Sequence, residues 1–303
     1  MKNFVIIGAA GYIAPRHLKA IKETGNNLLA AFDIHDSVGV LDAYFPEAHF
    51  FTEFERLDRH LEKIKRAGTS IDFIVVCSPN YLHDAHIRFG LRLGADVICE
   101  KPMVLNPWNV DALMQMEQET GHQIYNILQL RHHPALVALK QQVDAGSDHT
   151  CQINLQYITA RGNWYHYSWK GQEDKSGGLI SNIGIHFFDA LYWIFGKCKQ
   201  LRVDQLDEKT ALGFLELEKA TINWQLSIDE NLLPSAIQEA GGRTFRSLVI
   251  DGTAIDFSNG FEDLHTKSYE AILKGERASL AEVRDVIELI YKVRNSKNNF
   301  KQL

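Results

Sequence analysis

Phe4–Ala14 reads FVIIGAAGYIA. Phe4–Ile7 is an unbroken apolar run, as in a strand buried on both faces, and a helical pattern follows from Pro15 to Thr24. Between them lies a turn containing Gly8 and Gly11. Strand, glycine turn and helix together open a dinucleotide-binding unit. Glycines let the backbone approach a pyrophosphate, and the helix N-terminus supplies N–H groups and a partial positive charge. Gly8, Gly11, Tyr12 and Ile13 are therefore candidate cofactor contacts. The turn departs from G-x-G-x-x-G by the extra residue Ala10, so taken alone it also reads as a plain tight turn.

The same texture continues outward from this stretch. Leu28–Phe32 (LLAAF) is a second buried strand, ending in Asp33 about 20 residues beyond the turn. An acid there accepts hydrogen bonds from the adenosine ribose and repels a 2′-phosphate, which favours NAD over NADP; Asp33 could also cap a helix. Ile71–Cys77 (IDFIVVC) and Ala95–Cys99 (ADVIC) repeat the strand pattern, with a helix-like His83–Leu93 between them. Strands alternating with helices predict an α/β, doubly wound parallel sheet. Such sheets bind ligands at the carboxyl ends of their strands. Two segments fall there, Cys77–His83 (CSPNYLH) and Glu100-Lys101-Pro102, and they offer Ser78, Asn80, His83, Glu100 and Lys101.

Beyond roughly residue 125 the period changes to two. Cys151–Thr159 (CQINLQYIT), Ala211–Leu217, Ala220–Ile228 and Thr244–Ile250 read as mostly antiparallel strands with one wet face. Helices are expected over Gly184–Phe195 and Ser279–Arg294. Two domains follow: a Rossmann domain over 1–125 and an α/β domain with an open-faced sheet over 126–303.

The 303 residues are 45% hydrophobic and 23% charged, as in an ordinary globular enzyme, and the net charge of −6 gives no electrostatic reason to expect nucleic acid. Cys77, Cys99, Cys151 and Cys198 show no C-x-x-C spacing and read as free thiols in a reducing compartment. Met1-Lys2-Asn3 passes directly into a strand without a signal segment, so a cytoplasmic protein without a membrane partner is expected. His132 and His133, taken with His83 or His86, make no ligand-like pattern, and no metal is expected.

A third segment, Gly184–Trp193 (GIHFFDALYW), completes a set. The order of glycine turn, Ser-Pro-Asn with His, Glu-Lys-Pro and Gly-x-His-x-x-Asp resembles the glucose-fructose oxidoreductase and inositol dehydrogenase (Gfo/Idh/MocA) family over essentially the whole chain. Further segments resemble a nucleotide-sugar branch of it: GAAGYIAPRH (8–17), NILQLRHHP (126–134), RGNWY (161–165), SNIGIHFFD (181–189) and GFEDLHTKSY (260–269).

The resemblance implies a CH–OH dehydrogenase that oxidises the C3 hydroxyl of UDP-N-acetylglucosaminuronic acid to the 3-keto sugar in lipopolysaccharide O-antigen synthesis. NAD would be retained and recycled by 2-oxoglutarate, and the chain would form a homodimer or homotetramer. The resemblance also places Gln129 among the cofactor contacts. Other sugar or inositol dehydrogenases, an NAD-dependent glycosidase that oxidises C3 transiently, and an NAD-bound sensor remain alternatives.

Such a reaction needs a group to take the alcohol proton and others to hold the carbon. Lys101 is the expected base, because a cationic nicotinamide nearby would disfavour its ammonium form. His186 could share or relay that proton, with Asp189 orienting its ring. Many members of the family carry Asp where this chain has Asn182, which can hold a hydroxyl but cannot act as a base, and this shifts proton transfer toward Lys101. A substrate carboxylate and diphosphate call for arginine, offered by Arg131, Arg161 and Arg246. Asn163, Trp164 and Tyr165 could hydrogen-bond or stack on sugar and uracil, whereas Trp193 reads as core. Which arginine meets which group stays open.

Overall fold

The structure is a computed structural model that describes residues 1–146, 149–255 and 260–296. It divides into two compact units. One comprises Met1–Val104, Trp108–Gln129 and Asp263–Val283; the other comprises Leu105–Pro107, Leu130–Glu262 and Arg284–Leu303. The expectation of a single crossing near residue 125 differs from this division chiefly because 263–283 returns to the first unit. The physical reason is packing. Tyr269 and Ile272, on the helix Leu264–Leu273, are buried in the same core as Phe4, Ile6 and Leu18.

The first unit holds a six-stranded parallel sheet. Its strands are β1 (Asn3–Ile7), β2 (Asn27–Phe32), β3 (His49–Phe51), β4 (Phe73–Val76), β5 (Asp96–Cys99) and β6 (Ile124–Asn126), in the order β3-β2-β1-β4-β5-β6. This is the order of a Rossmann sheet, whose strand order reverses between β1 and β4. The four residues of β4 are all buried, as the continuous apolar run requires of a strand covered on both faces. The charged helix Phe54–Arg66 buries only Leu57 and Leu61 and so carried little apolar signal in the sequence.

The second unit holds a mixed sheet. It contains β7 (Cys151–Thr159), β8 (Cys198–Leu206), β9 (Thr210–Leu217), β10 (Ala220–Ser227), β11 (Thr244–Ile250) and β12 (Thr253–Ile255), in the order β12-β11-β7-β10-β9-β8. Its pairings are antiparallel except β10 with β7, which accords with the mostly antiparallel expectation. Buried and open positions alternate along β9, so one face of the sheet builds the core. The helix Ile185–Phe195 lies in that core, with Phe188 edge-on to Trp224 of β10. Among the described residues, one helical run, Glu173–Phe195, is long and apolar enough to cross a membrane, and 78% of its apolar window is buried inside the protein.

Candidate active site

In the first unit, five strand ends carry the expected residues. After β1, Gly8 takes φ +95°, and a Cβ built on it would lie 2.5 Å from the Cys77 carbonyl carbon, so the turn requires glycine. The Gly8 and Ala9 amides donate to the Phe32 carbonyl, which pins the turn to the end of β2. The helix Ala14–Glu23 follows, with a proline in its first turn. Tyr12 is exposed and Ile13 half-buried.

After β2, Asp33 accepts 2.9 Å hydrogen bonds from the Ala10 amide on one oxygen and the His35 amide on the other. Its carboxylate is thereby fixed against the glycine turn, with lone pairs remaining for a ribose diol. After β4, Ser78 and Asn80 are buried, and the Ser78 hydroxyl meets His86 Nδ1 at 2.9 Å. Burial lowers the His86 pKa to about 4, so this ring is neutral near pH 7.

Two residues expected to contact the cofactor turn inward instead. The ring nitrogens of His83 face the carbonyls of Pro102 (2.8 Å) and Ser78 (2.7 Å), so this fully buried ring braces the two loops. Glu100, after β5, directs Oε1 to His17 Nε2 (2.9 Å) and His265 Nε2 (3.1 Å), while Oε2 accepts from the Lys101 amide at 3.1 Å. A carboxylate has the lone pairs to accept all three, which explains its inward turn. Lys101 itself is half-buried.

The residues present fit a dinucleotide. The Gly8 position leaves no room for a side chain, Asp33 is preset, and two buried acceptors, Asn126 Oδ1 and Gln129 Oε1, take no hydrogen bond among the described residues. A carboxamide or ribose donor suits such acceptors.

In the second unit the structure separates the arginines. Arg131 grips Asp189 bidentately, Nη2 to Oδ1 at 2.8 Å and Nε to Oδ2 at 3.1 Å, with side chains 12% and 3% exposed. Arg131 is thus engaged within the fold, and Asp189 serves it as counter-charge. Asp and Arg 58 positions apart carry no local signal that they pair. Arg246 packs over the rings of Tyr157 and Phe261. Trp193 is half-buried and packs against the core of the second unit, with the Arg131 guanidinium over its ring.

Arg161, Asn163 and Trp164 are exposed, and Tyr165 is buried beneath them. Asn182 donates to the Tyr165 hydroxyl and the Lys170 carbonyl, both at 3.4 Å. It sits in a π-helical turn, Ile180–Gly184, that opens the helix carrying half-buried His186; such turns are frequent at functional sites. Lys170 joins this patch unannounced by the sequence, its ammonium 5.6 Å from the Trp164 ring and 5.7 Å from that of Trp169. Burial, aided by the charge of Arg161, holds its pKa below the usual lysine value. An ammonium beside two indoles, with the charge of Arg161 acting on it, suits an anionic, ring-bearing ligand.

If Asp33 reads the ribose, Asp33→Ser lowers affinity for NAD by roughly 10- to 100-fold, the value of one or two charge-assisted hydrogen bonds. It also narrows the preference for NAD over NADP. Fluorescence titration of apoprotein checks both; unchanged discrimination would assign Asp33 a purely structural role in the turn.

Two family models match, the oxidoreductase family NAD-binding Rossmann fold over residues 2–127 and the oxidoreductase family C-terminal α/β domain over residues 146–227. Among solved structures, the WlbA (WbpB) dehydrogenase from Thermus thermophilus, in complex with NAD and α-ketoglutarate, is 45% identical. The match has a TM-score of 0.94 and covers 97% of this chain and 95% of that one. A second structure of that dehydrogenase holds NAD and UDP-GlcNAcA, with TM-score 0.93 over the same shares. Inositol 2-dehydrogenase from Rhizobium meliloti is 25% identical over 64% of this chain and 55% of its own. Glucose-6-phosphate 3-dehydrogenase from Bacillus subtilis is 24% identical over 64% of this chain and 54% of its own. The chain thus spans about half the length of the curated relatives it matches. With a Rossmann sheet in one unit, a mixed sheet in the other and both family models matched, this chain belongs to the Gfo/Idh/MocA oxidoreductase family.

Proposed function

We propose that the chain is an NAD-dependent dehydrogenase that oxidises the C3 hydroxyl of UDP-N-acetylglucosaminuronic acid to the 3-keto sugar. The observation that carries this is its 45% identity, over nearly the full length, to a dehydrogenase crystallised with NAD and that sugar nucleotide. The role in O-antigen synthesis, the cytoplasmic location, the homo-oligomer and the sequence-read division into cofactor and substrate domains belong to the same proposal.

Bound NAD supplies the hydride acceptor. Gly8, Gly11, Tyr12 and Ile13 would hold its pyrophosphate, and Asp33 its adenosine ribose; Ser78, Asn80, Asn126 and Gln129 line the remaining strand ends. Lys101, at the carboxyl end of β5, takes the C3 hydroxyl proton as the C3 hydride departs. In the second unit, Asn182 and His186 would hold sugar hydroxyls, His186 being also able to pass the proton on. Arg161 and Lys170 would neutralise the diphosphate and carboxylate, and Trp164 offers its indole to the uracil. As second substrate, 2-oxoglutarate would be reduced to a 2-hydroxy acid.

The test begins with purified protein. Denaturation should release NAD, identified by mass, and the sugar nucleotide added to intact protein should give a stoichiometric burst of reduced-nicotinamide absorbance. A product that keeps its nucleotide and gains a ketone excludes the glycosidase. Released NAD with an inert sugar would move the assignment to another polyol, and an absence of turnover on any sugar would favour the sensor.

A further inference from the structure

The segments GYIAPRH and LHTKSY each contribute one histidine that the cofactor site does not use. His17 lies on the helix Ala14–Glu23, and His265 and Tyr269 on the helix Leu264–Leu273. All three are buried, at 0%, 4% and 0% exposure. The two histidines converge on Glu100 from sequence separations of 83 and 165 residues, and Tyr269 reaches it through His17. The donors and acceptors match throughout. His17 Nε2–H and His265 Nε2–H donate to Glu100 Oε1, the Tyr269 hydroxyl donates to His17 Nδ1 at 2.8 Å, and the Lys101 amide donates to Glu100 Oε2. The histidine rings also meet edge-on, with centroids 5.0 Å apart.

Burial alone would raise the Glu100 pKa, but the hydrogen bonds from the two histidines outweigh it and keep the carboxyl well below its usual value. Burial holds His17 below the usual histidine value, against the pull of Glu100. The cluster therefore carries a buried carboxylate beside a neutral His17, immediately before Lys101 in the chain. The other titratable groups around Glu100 are Cys99 from β5, Cys77 after β4, His83 at the start of the helix His83–Leu93, and Tyr269.

We propose that His17, His265 and Tyr269 form with Glu100 a positioning network for Lys101. The network locks the Glu100 side chain, the Glu100 carboxylate locks the Lys101 backbone through its amide, and a fixed negative charge is kept beside the lysine. These are positioning residues, since no atom of theirs needs to meet the substrate. The inference rests on the proposed role of Lys101 as base. His17, Glu100 and His265 could also be read as a metal site, because their donor atoms lie within 4.8 Å of one another. The matched hydrogen-bond chain through Tyr269 favours the metal-free network.

Glu100→Gln keeps size and shape but removes the charge and places an amide donor among donors. The expected result is a kcat between about 10- and 100-fold lower, with the sugar KM unchanged and NAD still released in stoichiometric amount. The acid limb of the kcat–pH profile should move to lower pH, because loss of a neighbouring carboxylate disfavours the ammonium form of the base. A purely structural role would leave that limb in place. Wild-type kcat and profile in this variant overturn the proposal.

A second arm does not depend on the sugar. Long-range proton–nitrogen NMR of 15N-histidine protein, assigned with His17→Gln and His265→Gln, should show both rings as Nε2–H tautomers. Tyr269→Phe, which deletes one buried hydroxyl, should disturb the His17 signals. Nδ1–H rings, or stoichiometric metal whose chelation shifts these signals, overturn the network. If the wild-type enzyme is inert toward the sugar, the substrate assignment has failed, and the tautomer pattern still decides the network.

Discussion

Lys101→Met is expected to lower kcat by roughly 10²- to 10⁴-fold, the range for loss of a general base. The variant keeps the aliphatic stem and removes the amine that takes the C3 proton in the proposed reaction. Lys101 is half-buried and its amide, unaffected by the substitution, still donates to Glu100, so the fold and the retained NAD should be unchanged. Single-turnover absorbance with the UDP-sugar acid reads the chemical step directly. The wild-type rate should rise with pH as the amine is freed, and the residual rate of the variant should lose that limb. A variant within about tenfold of wild type would hand the base role to another group, with His186 the first to examine.

Arg131→Ala is expected to act on stability rather than on substrate affinity. The Arg131–Asp189 pair is bidentate and largely buried, and removing one partner of such a pair costs about 3–5 kcal/mol because a buried charge loses its counter-charge. For a chain of this size that lowers Tm by roughly 6 °C or more. Arg131→Lys should recover only part of the loss, since an ammonium cannot reproduce the planar fork. The double variant Arg131→Met/Asp189→Leu should recover much more, because an apolar pair of similar volume needs no compensation in the interior. Scanning calorimetry alongside the sugar KM separates the two roles open to this arginine. A raised KM at unchanged Tm would return Arg131 to the substrate; a lowered Tm with the KM of the remaining folded enzyme unchanged places it in the core of the second unit.

The division of roles between these two residues reflects what a sequence can and cannot announce. The Rossmann sheet was legible because each of its signals is local. Phe4–Ile7 is apolar without interruption because β1 is covered on both faces, Gly8 follows because its backbone packs against Cys77, and Asp33 and Lys101 each stand directly after a buried strand. The alternation in Cys151–Thr159 likewise announced a one-sided sheet, and β7 has those bounds.

What the sequence left undetermined is where polar side chains find one another across the fold. Glu100 looked like a cofactor contact and became the centre of a buried network, because its partners come from helices 83 and 165 positions away. Arg131 looked like a substrate ligand and became an internal clamp on Asp189, and Lys170 entered the aromatic patch with no motif to mark it. Hydrophobic periodicity encodes which face of an element is buried, and that is a property of neighbours in the chain. Hydrogen-bond pairing depends on which faces later meet, so only the tertiary structure decides whether a given charge is held for a ligand or for the protein itself.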